Sequence, residues 1–276
     1  MRSCKMPSGA KMPVFGIGTW RMGESAWRRA QELDAVRYAV ELGYPMIDTA
    51  EMYGDGGAEE IVGEALAGQR LRPFIVSKVY PHNATRSGTI AACERSLKRL
   101  KIERIDLYLL HWRGGARLEE TFEAFHRLRE AGKIADFGVS NFDAGDMADA
   151  ARLDKGLTAS NQVLYCLSRR GPEFDLLPWM RKRSIPLMAY SPLDQGGLLG
   201  KPALKKLAGE VGCTLAQLAL AWVLAQPGVV TIPKSSTRER VKENLAAVEV
   251  KLSPQILAEL DKAFSPPKGK QALEML

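Results

Sequence analysis

Phe74-Ile-Val-Ser-Lys78 and, 31 residues further on, Ile105-Asp-Leu-Tyr-Leu-Leu-His111 are short apolar runs that each close on an ionisable residue, with a helical pattern between them. Runs of this length, nearly continuous in apolar character, read as strands buried on both faces of a parallel sheet. Six more recur along the chain: Val14-Phe-Gly-Ile-Gly18, Met46-Ile-Asp-Thr49, Phe137-Gly-Val-Ser140, Asn161-Gln-Val163, Ile185-Pro-Leu-Met-Ala-Tyr190 and Val229-Val-Thr-Ile232. Successive runs begin mostly 24 to 32 residues apart, with one longer gap before the last. A strand, a helix and two loops occupy about that length.

The gaps carry helix start and stop signals. Ala26, Ala30, Leu33, Val36 and Val40 recur at helical spacing and stop at Gly43, and the pattern from Leu118 to Ala131 stops at Gly132. Thr214 to Gln226 ends against Pro227, and Ser253-Pro254 is an N-cap followed by Pro at the first helical position. Eight strands alternating with amphipathic helices predict an α/β fold: a single (β/α)8 TIM barrel over residues 1–276, ending in a short C-terminal tail. The rival, a doubly wound nucleotide-binding fold, requires G-x-G-x-x-G in its first turn. Gly16-Ile-Gly18-Thr-Trp-Arg21 places Arg where the third Gly belongs, which disfavours it.

Composition narrows the function classes. The 276 residues are 46% hydrophobic and 26% charged, as in a globular chain. No stretch approaches the roughly 18 uncharged apolar residues of a membrane helix, so no membrane partner is expected. The amino terminus lacks a secretory apolar core and cleavage site, which leads to a cytoplasmic expectation. Cys4, Cys93, Cys166 and Cys213 lie far apart with no C-x-x-C pair, so neither a structural zinc nor a disulfide framework is indicated. His82, His111 and His126 form no H-x-H or H-x-x-x-H pair; no metal site is expected, and a metal-dependent hydrolase is disfavoured.

In a barrel of this kind the site lies at the carboxyl ends of the strands. Asp48 follows Met46-Ile47, Lys78 and His111 close their runs, and Tyr53 lies in the first loop after Asp48. Asp and Lys at a buried rim are costly unless they pair. A free tyrosine, with a pKa of about 10, is a poor acid at neutral pH; a nearby ammonium lowers that value while burial raises it. Lys78 supplies the charge, Asp48 holds Lys78, and His111 orients the reacting oxygen. The expectation is that the charge wins, letting Tyr53 protonate a carbonyl oxygen as it gains negative charge. Such a set supplies no electrons, so hydride has to come from a cofactor.

A net charge of +7 admits nucleic acid, an anionic membrane or an anionic small ligand. Placement is more informative: Lys234 ends the last strand, Arg240 enters the next helix, and Ser235, Ser236 and Thr237 lie between them. A helix amino terminus flanked by cations attracts phosphate. By itself the segment reads as a solvated basic turn; a small phosphorylated ligand, and no nucleic acid, becomes the expectation only with the resemblance carried by the chain's motifs.

The motifs Ile47-Asp48-Thr-Ala-Glu-Met-Tyr53-Gly, Ser77-Lys78, Leu109-Leu110-His111-Trp112, Gly138-Val-Ser-Asn141-Phe, Asn161-Gln162, Ala189-Tyr-Ser-Pro-Leu193 and Ile232-Pro-Lys-Ser235 resemble, in order, those of the aldo-keto reductases. The resemblance implies a (β/α)8 barrel that binds NADPH extended, with NADH the lesser partner. It implies Tyr53 as general acid, Asp48 and Lys78 as its tuning pair, and His111 at the carbonyl. Ser140, Asn141 and Gln162 would clamp the nicotinamide carboxamide, Tyr190 would stack on the ring, and Ser191, Leu193 and Gly196 would line the pyrophosphate. Lys234, Ser235, Ser236, Arg240 and Asn244 would hold the adenosine end.

Trp20, Tyr80, Trp112 and Phe142 follow strand ends and are expected to wall the substrate mouth. The loop from Trp112 to Arg117 and the tail after residue 265 are short. The chain is most similar to compact bacterial members that reduce methylglyoxal and other small aldehydes, and a monomer acting on a small carbonyl compound is expected. Arg113 stands where many relatives have Pro. A cofactor-binding regulatory or structural protein is the alternative, since the same fold serves as a channel-associated subunit and as a lens protein.

Overall fold

A computed structural model of the chain describes residues 2–70, 72–154 and 156–276. Two short strands, β1 (Ser3–Lys5) and β2 (Lys11–Pro13), precede the repeating units. Then follow β3 (Ile17–Gly18), α1 (Ala26–Glu41), β4 (Met46–Asp48), α2 (Gly57–Leu66), β5 (Phe74–Val79), α3 (Arg86–Leu100), β6 (Ile105–Leu110) and α4 (Leu118–Glu130). The second half holds β7 (Ile134–Ser140), α5 (Ala144–Leu153), β8 (Thr158–Leu164), α6 (Leu176–Arg181), β9 (Leu187–Tyr190), α7 (Pro202–Val211), α8 (Leu215–Ala225), β10 (Val229–Thr231), α9 (Arg238–Ala246) and α10 (Pro254–Ala263).

Strands β3 to β10 lie side by side in chain order, each parallel to the next. The ends of that sheet meet. Gly16 N donates to Thr231 O at 3.0 Å, Thr231 N donates to Val14 O at 2.9 Å, and Gly18 N donates to Pro233 O at 3.1 Å. The closed (β/α)8 barrel expected from the sequence is thus present, and its seam explains why the run at residues 14–18 looks longer than β3. Only Ile17 and Gly18 pair with β4, while the preceding residues pair with β10.

The long gap before the last run holds two helices, α7 and α8, where the other units hold one. Thr214 opens α8 with a capping box to Gln217, and the Ser253 hydroxyl accepts from Ile256 N at the start of α10. The β1–β2 hairpin gave no readable signal, because three-residue strands are too short to show alternation. It closes the amino end of the barrel, where the Arg2 guanidinium donates to Leu224 O at 3.1 Å and Met6 and Met12 are buried. Among the described residues no single helix is long and apolar enough to cross a membrane.

Between the sheet and α4, Phe122, Phe125 and Phe137 form a ring cluster with centroids 5.4–6.0 Å apart. The β7–β8 ladder beside it shifts register between Phe137 and Val139, at Gly138. A Cβ on Gly138 would sit 2.5 Å from Ser160 O and 2.9 Å from a Leu109 methyl, so only glycine lets the two backbones approach. Gly138→Ala is expected to cost about 1–3 kcal/mol and to lower Tm by roughly 3–10 °C. Thermal unfolding followed by circular dichroism checks this, and an unchanged Tm would show that β7 and β8 are not so tightly spaced.

Candidate active site

Side chains alternate along a strand, so Ser77 and Lys78 on β5 face opposite ways. Ser77 points outward, its hydroxyl donating at 2.6 Å to buried Glu59 on α2, which also accepts from Arg99 Nε at 2.7 Å. Lys78 points inward. In the β4–β5 register Asp48 pairs with Val76, which leaves Lys78 one pleat nearer the carboxyl rim and within reach of that carboxylate. Lys78 is fully buried, and its Nζ donates to both Asp48 oxygens and to Thr49 O, each at 2.8 Å, and to the Tyr53 hydroxyl at 3.2 Å. Tyr53 opens the turn that follows β4, and its ring stands edge-on to His111, centroids 5.6 Å apart. The four residues expected to converge do so.

The electrostatics differ from expectation in one respect. Burial, reinforced by the Asp48 charge, pushes the Tyr53 phenol well above its ordinary value, so the Lys78 charge does not win in the resting site. The first reason is that the phenol is out of water, and the second is that the Asp48 charge opposes that of Lys78. Burial also pulls the Lys78 ammonium down and the Asp48 carboxyl up, and in each case the partner's charge opposes the shift. Two contacts of 2.8 Å from one ammonium to both carboxylate oxygens are the geometry of an ion pair. Burial and Lys78 pull His111 well below the ordinary imidazole value, so it is neutral near pH 7, and its Nδ1 has no hydrogen-bond partner.

These groups open into a cavity of about 300 Å³ at the rim. Trp20, Trp112, Ser140, Asn141, Gln162, Tyr190 and Ser191 line it, as do Met52, Met275 and Leu276, which sequence reasoning missed. The polar residues are interlocked. Ser140 Oγ donates to Gln162 O at 2.8 Å, the Tyr190 hydroxyl donates to Asn141 Oδ1 at 3.0 Å, and Gln162 Nε2 donates to Asp48 Oδ1 at 2.7 Å. Two expected wall residues are placed otherwise. Phe142 is fully buried away from the cavity, its backbone exchanging hydrogen bonds with the Asn161 side chain. Tyr80 stands behind Trp112, edge-on at 5.2 Å, with Glu51 accepting from its backbone N–H.

A second groove of about 660 Å³ continues from the cavity, sharing Trp20, Ser191 and Lys234 with it. Leu193, Gly196, Lys234, Arg240 and Asn244 line it, together with the unforeseen Arg21 and Thr214. Ser235 does not: it is buried, and its hydroxyl donates to Thr237 O at 3.5 Å. Ser236 accepts from Lys234 Nζ at 3.4 Å, and Thr237 caps α9 by accepting from Arg240 N. Lys234 forms no ion pair among the described residues; burial, and after it the charges of Arg28 and Arg240, pull its ammonium below the ordinary value, with Glu32 opposing. Three cations of the groove, Arg21, Lys234 and Arg240, stand against one carboxylate in its lining, Glu243, which suits a phosphorylated ligand. At Gly196, with φ of +96°, a Cβ would meet nothing within 4 Å, so the wall there is open backbone. Among the described residues no three His, Cys, Asp or Glu side chains group as metal ligands.

A barrel whose rim buries a tyrosine hydroxyl against a lysine, beside a cation-lined groove, has the parts that carbonyl reduction needs. The model of the Aldo/keto reductase family matches residues 14–264. The chain belongs to that family and is an oxidoreductase. It is 51% identical to methylglyoxal reductase YeaE of Escherichia coli over 96% of this chain and 95% of that protein. It is 34% identical to glyoxal reductase of Bacillus subtilis over 93% of this chain and 91% of that protein. A solved aldo-keto reductase from Klebsiella pneumoniae in complex with NADPH superposes with a TM-score of 0.95 at 47% identity, covering 100% of this chain and 99% of that one.

The buried pair makes a stability prediction. Asp48→Asn leaves the Lys78 charge without its carboxylate and is expected to cost about 3–5 kcal/mol. Asp48→Asn combined with Lys78→Met removes both charges and is expected to recover most of that loss. Urea unfolding of the two variants decides the matter, and a double variant no more stable than the single one would contradict it.

Proposed function

We propose that this protein is an NADPH-dependent reductase of small aldehydes and dicarbonyls of the methylglyoxal kind, acting as a cytoplasmic monomer of one barrel domain over residues 1–276. Three observations support the substrate class: the cavity of about 300 Å³ has to hold the nicotinamide end as well as the carbonyl compound; Trp20, Trp112, Met275 and Leu276 narrow it; and the named relatives act on methylglyoxal and glyoxal. The two adjoining cavities would take the cofactor end to end. Asn141, Gln162 and Tyr190 would flank its nicotinamide end, Ser191, Leu193 and Gly196 its phosphates, and Lys234, Arg240 and Asn244 its adenosine end, while Ser236 lies outside both cavities.

When bound, NADPH supplies the hydride that reduces the carbonyl carbon. The observation that carries the rest is the Lys78 contact to the Tyr53 hydroxyl at 3.2 Å. Because Lys78 donates into a lone pair of that oxygen, the phenol's own hydrogen is directed elsewhere, and the open side is the cavity. A carbonyl oxygen seated there accepts this hydrogen bond and takes the proton as it gains charge. The phenolate left behind lies against the ammonium, which stabilises it at the moment it forms. Neutral His111 lines the same cavity, where its ring would hold the same oxygen.

Two expected outcomes test this reading. Tyr53→Phe keeps NADPH binding and loses roughly 100-fold or more in kcat, as loss of a general acid does. NADPH absorbance measured with methylglyoxal reads this; near-normal turnover would mean that another group donates the proton. NADPH binding without oxidation by the unsubstituted protein would favour a regulatory role instead. Arg240→Ala removes a charged partner of the 2′-phosphate and is expected to weaken NADPH by about 1.5–3 kcal/mol, roughly 10- to 100-fold in Kd. NADH is expected to be nearly unaffected in the same fluorescence titration. Equal weakening of both cofactors would remove Arg240 from the phosphate site.

A further inference from the structure

Two consecutive arginines after β8 both reach the chain that follows α10. The loop turns tightly, with Arg169 N donating to Cys166 O at 3.0 Å. Arg170, nearly buried, donates to Asp261 Oδ1 at 2.7 Å and to Phe264 O at 2.5 Å, which pins the root of segment 265–276. Arg169 donates through Nη1 to Glu274 Oε2 at 3.1 Å, near the far end of the same segment. The next two residues, Met275 and Leu276, line the cavity that holds Tyr53 and His111.

The same guanidinium has a second partner. Arg169 Nε donates to Asp194 Oδ1 at 3.3 Å, and Ser168 Oγ donates to Asp194 Oδ2 at 2.9 Å. Asp194 opens the short helical segment Asp194–Gly200, whose Gln195, Gly196 and Leu199 wall the phosphate groove. One side chain therefore ties the wall of the substrate cavity to the wall of the cofactor groove.

We propose that Arg169 is a positioning residue that sets the size of the substrate cavity by fastening segment 265–276 across it, sharing its guanidinium with the wall of the cofactor groove. Arg169 and Glu274 are both well exposed, with 39% and 51% of their side chains accessible. Exposed pairs of this kind are weak. Arg170 holds the root of the segment, the Lys270–Asp175 pair and the packing of Leu273 hold its middle, and Arg169 holds Glu274 releasably, so the Met275–Leu276 wall can yield without the rest of the segment leaving. Losing the Arg169 contact enlarges the cavity for bulky carbonyl compounds and loosens its grip on small ones, with the proton donor untouched.

The substrate readout rests on the reductase reading; if the unsubstituted protein oxidises no NADPH with any aldehyde, it is that reading that fails. Hydrogen exchange and cofactor affinity test the fastening independently. Arg169→Gln and Glu274→Gln are each expected to raise amide exchange in 265–276. Both should also raise KM for methylglyoxal about 2- to 5-fold with kcat unchanged. The kcat/KM ratio of 2-naphthaldehyde to methylglyoxal should rise by a similar factor. Only Arg169→Gln touches Asp194, so only it is expected to weaken NADPH in a fluorescence titration. Unchanged exchange and an unchanged substrate ratio in both variants would overturn the proposal, and an NADPH Kd unmoved by Arg169→Gln would overturn the shared role of the guanidinium.

Discussion

An ammonium group with no exposed surface is the constraint around which this site is built. Desolvating a charge costs several kcal/mol unless close partners replace the water. Lys78 finds four oxygens within 3.2 Å, two from Asp48, one from Thr49 and one from Tyr53. The arrangement requires β4 and β5 to be adjacent and in one register, the turn after β4 to fold back over the rim, and β5 to be held from outside. The last is the task of Glu59, which joins Ser77 on the strand to Arg99 on α3. Closing the barrel at the β3–β10 seam brings Lys234 beside Gly18, so the cation-lined groove meets the cavity at that rim.

Burial shapes the chemistry as much as charge does. A tyrosine beside a bare ammonium would ionise more readily, but the ammonium here is compensated and the phenol is out of water, so the proton stays on. The resting site therefore holds a neutral phenol and a neutral imidazole facing one cavity, both able to bind a carbonyl oxygen before any charge develops. In the proposed mechanism Lys78 contributes when the proton leaves, because only then does the tyrosine oxygen beside it carry a charge. Stabilisation that appears with the charge raises kcat rather than merely tightening ground-state binding.

Much of this was legible in the sequence, and the boundary of legibility is physical. The strands carry continuous apolar runs, and the rim residues stand at their ends, so Asp48, Lys78 and His111 could be placed without coordinates. Tyr53 followed from its distance along the loop and the family motif. Phe142 looked like a wall residue because it follows a strand, yet a residue just past a strand can point into the packing between sheet and helices, as it does against Asn161. Ser235 likewise lies in the right segment with its hydroxyl turned to the backbone. Met275 and Leu276 carried no signal, since they reach the cavity through contacts with residues far away in the chain, among them the Arg169–Glu274 pair. Arg113 left the shape of its loop open in the sequence: it forks between Asp146 and Asp149 on α5, so an ionic clamp holds the loop that carries Trp112. The direction of the Tyr53 shift was unreadable for the same reason, because degree of burial is a tertiary quantity.

The most direct measurement is the pH dependence of kcat/KM for methylglyoxal reduction. With Tyr53 held above its ordinary value and His111 well below, neither group titrates near neutrality. The rate constant is expected to be level from about pH 6 to 9, with no inflection near the imidazole value of ~6.5, and to fall only as the phenol ionises above ~10. An inflection between pH 6 and 9 that is absent in Tyr53→Phe would contradict a phenol whose proton is kept by burial.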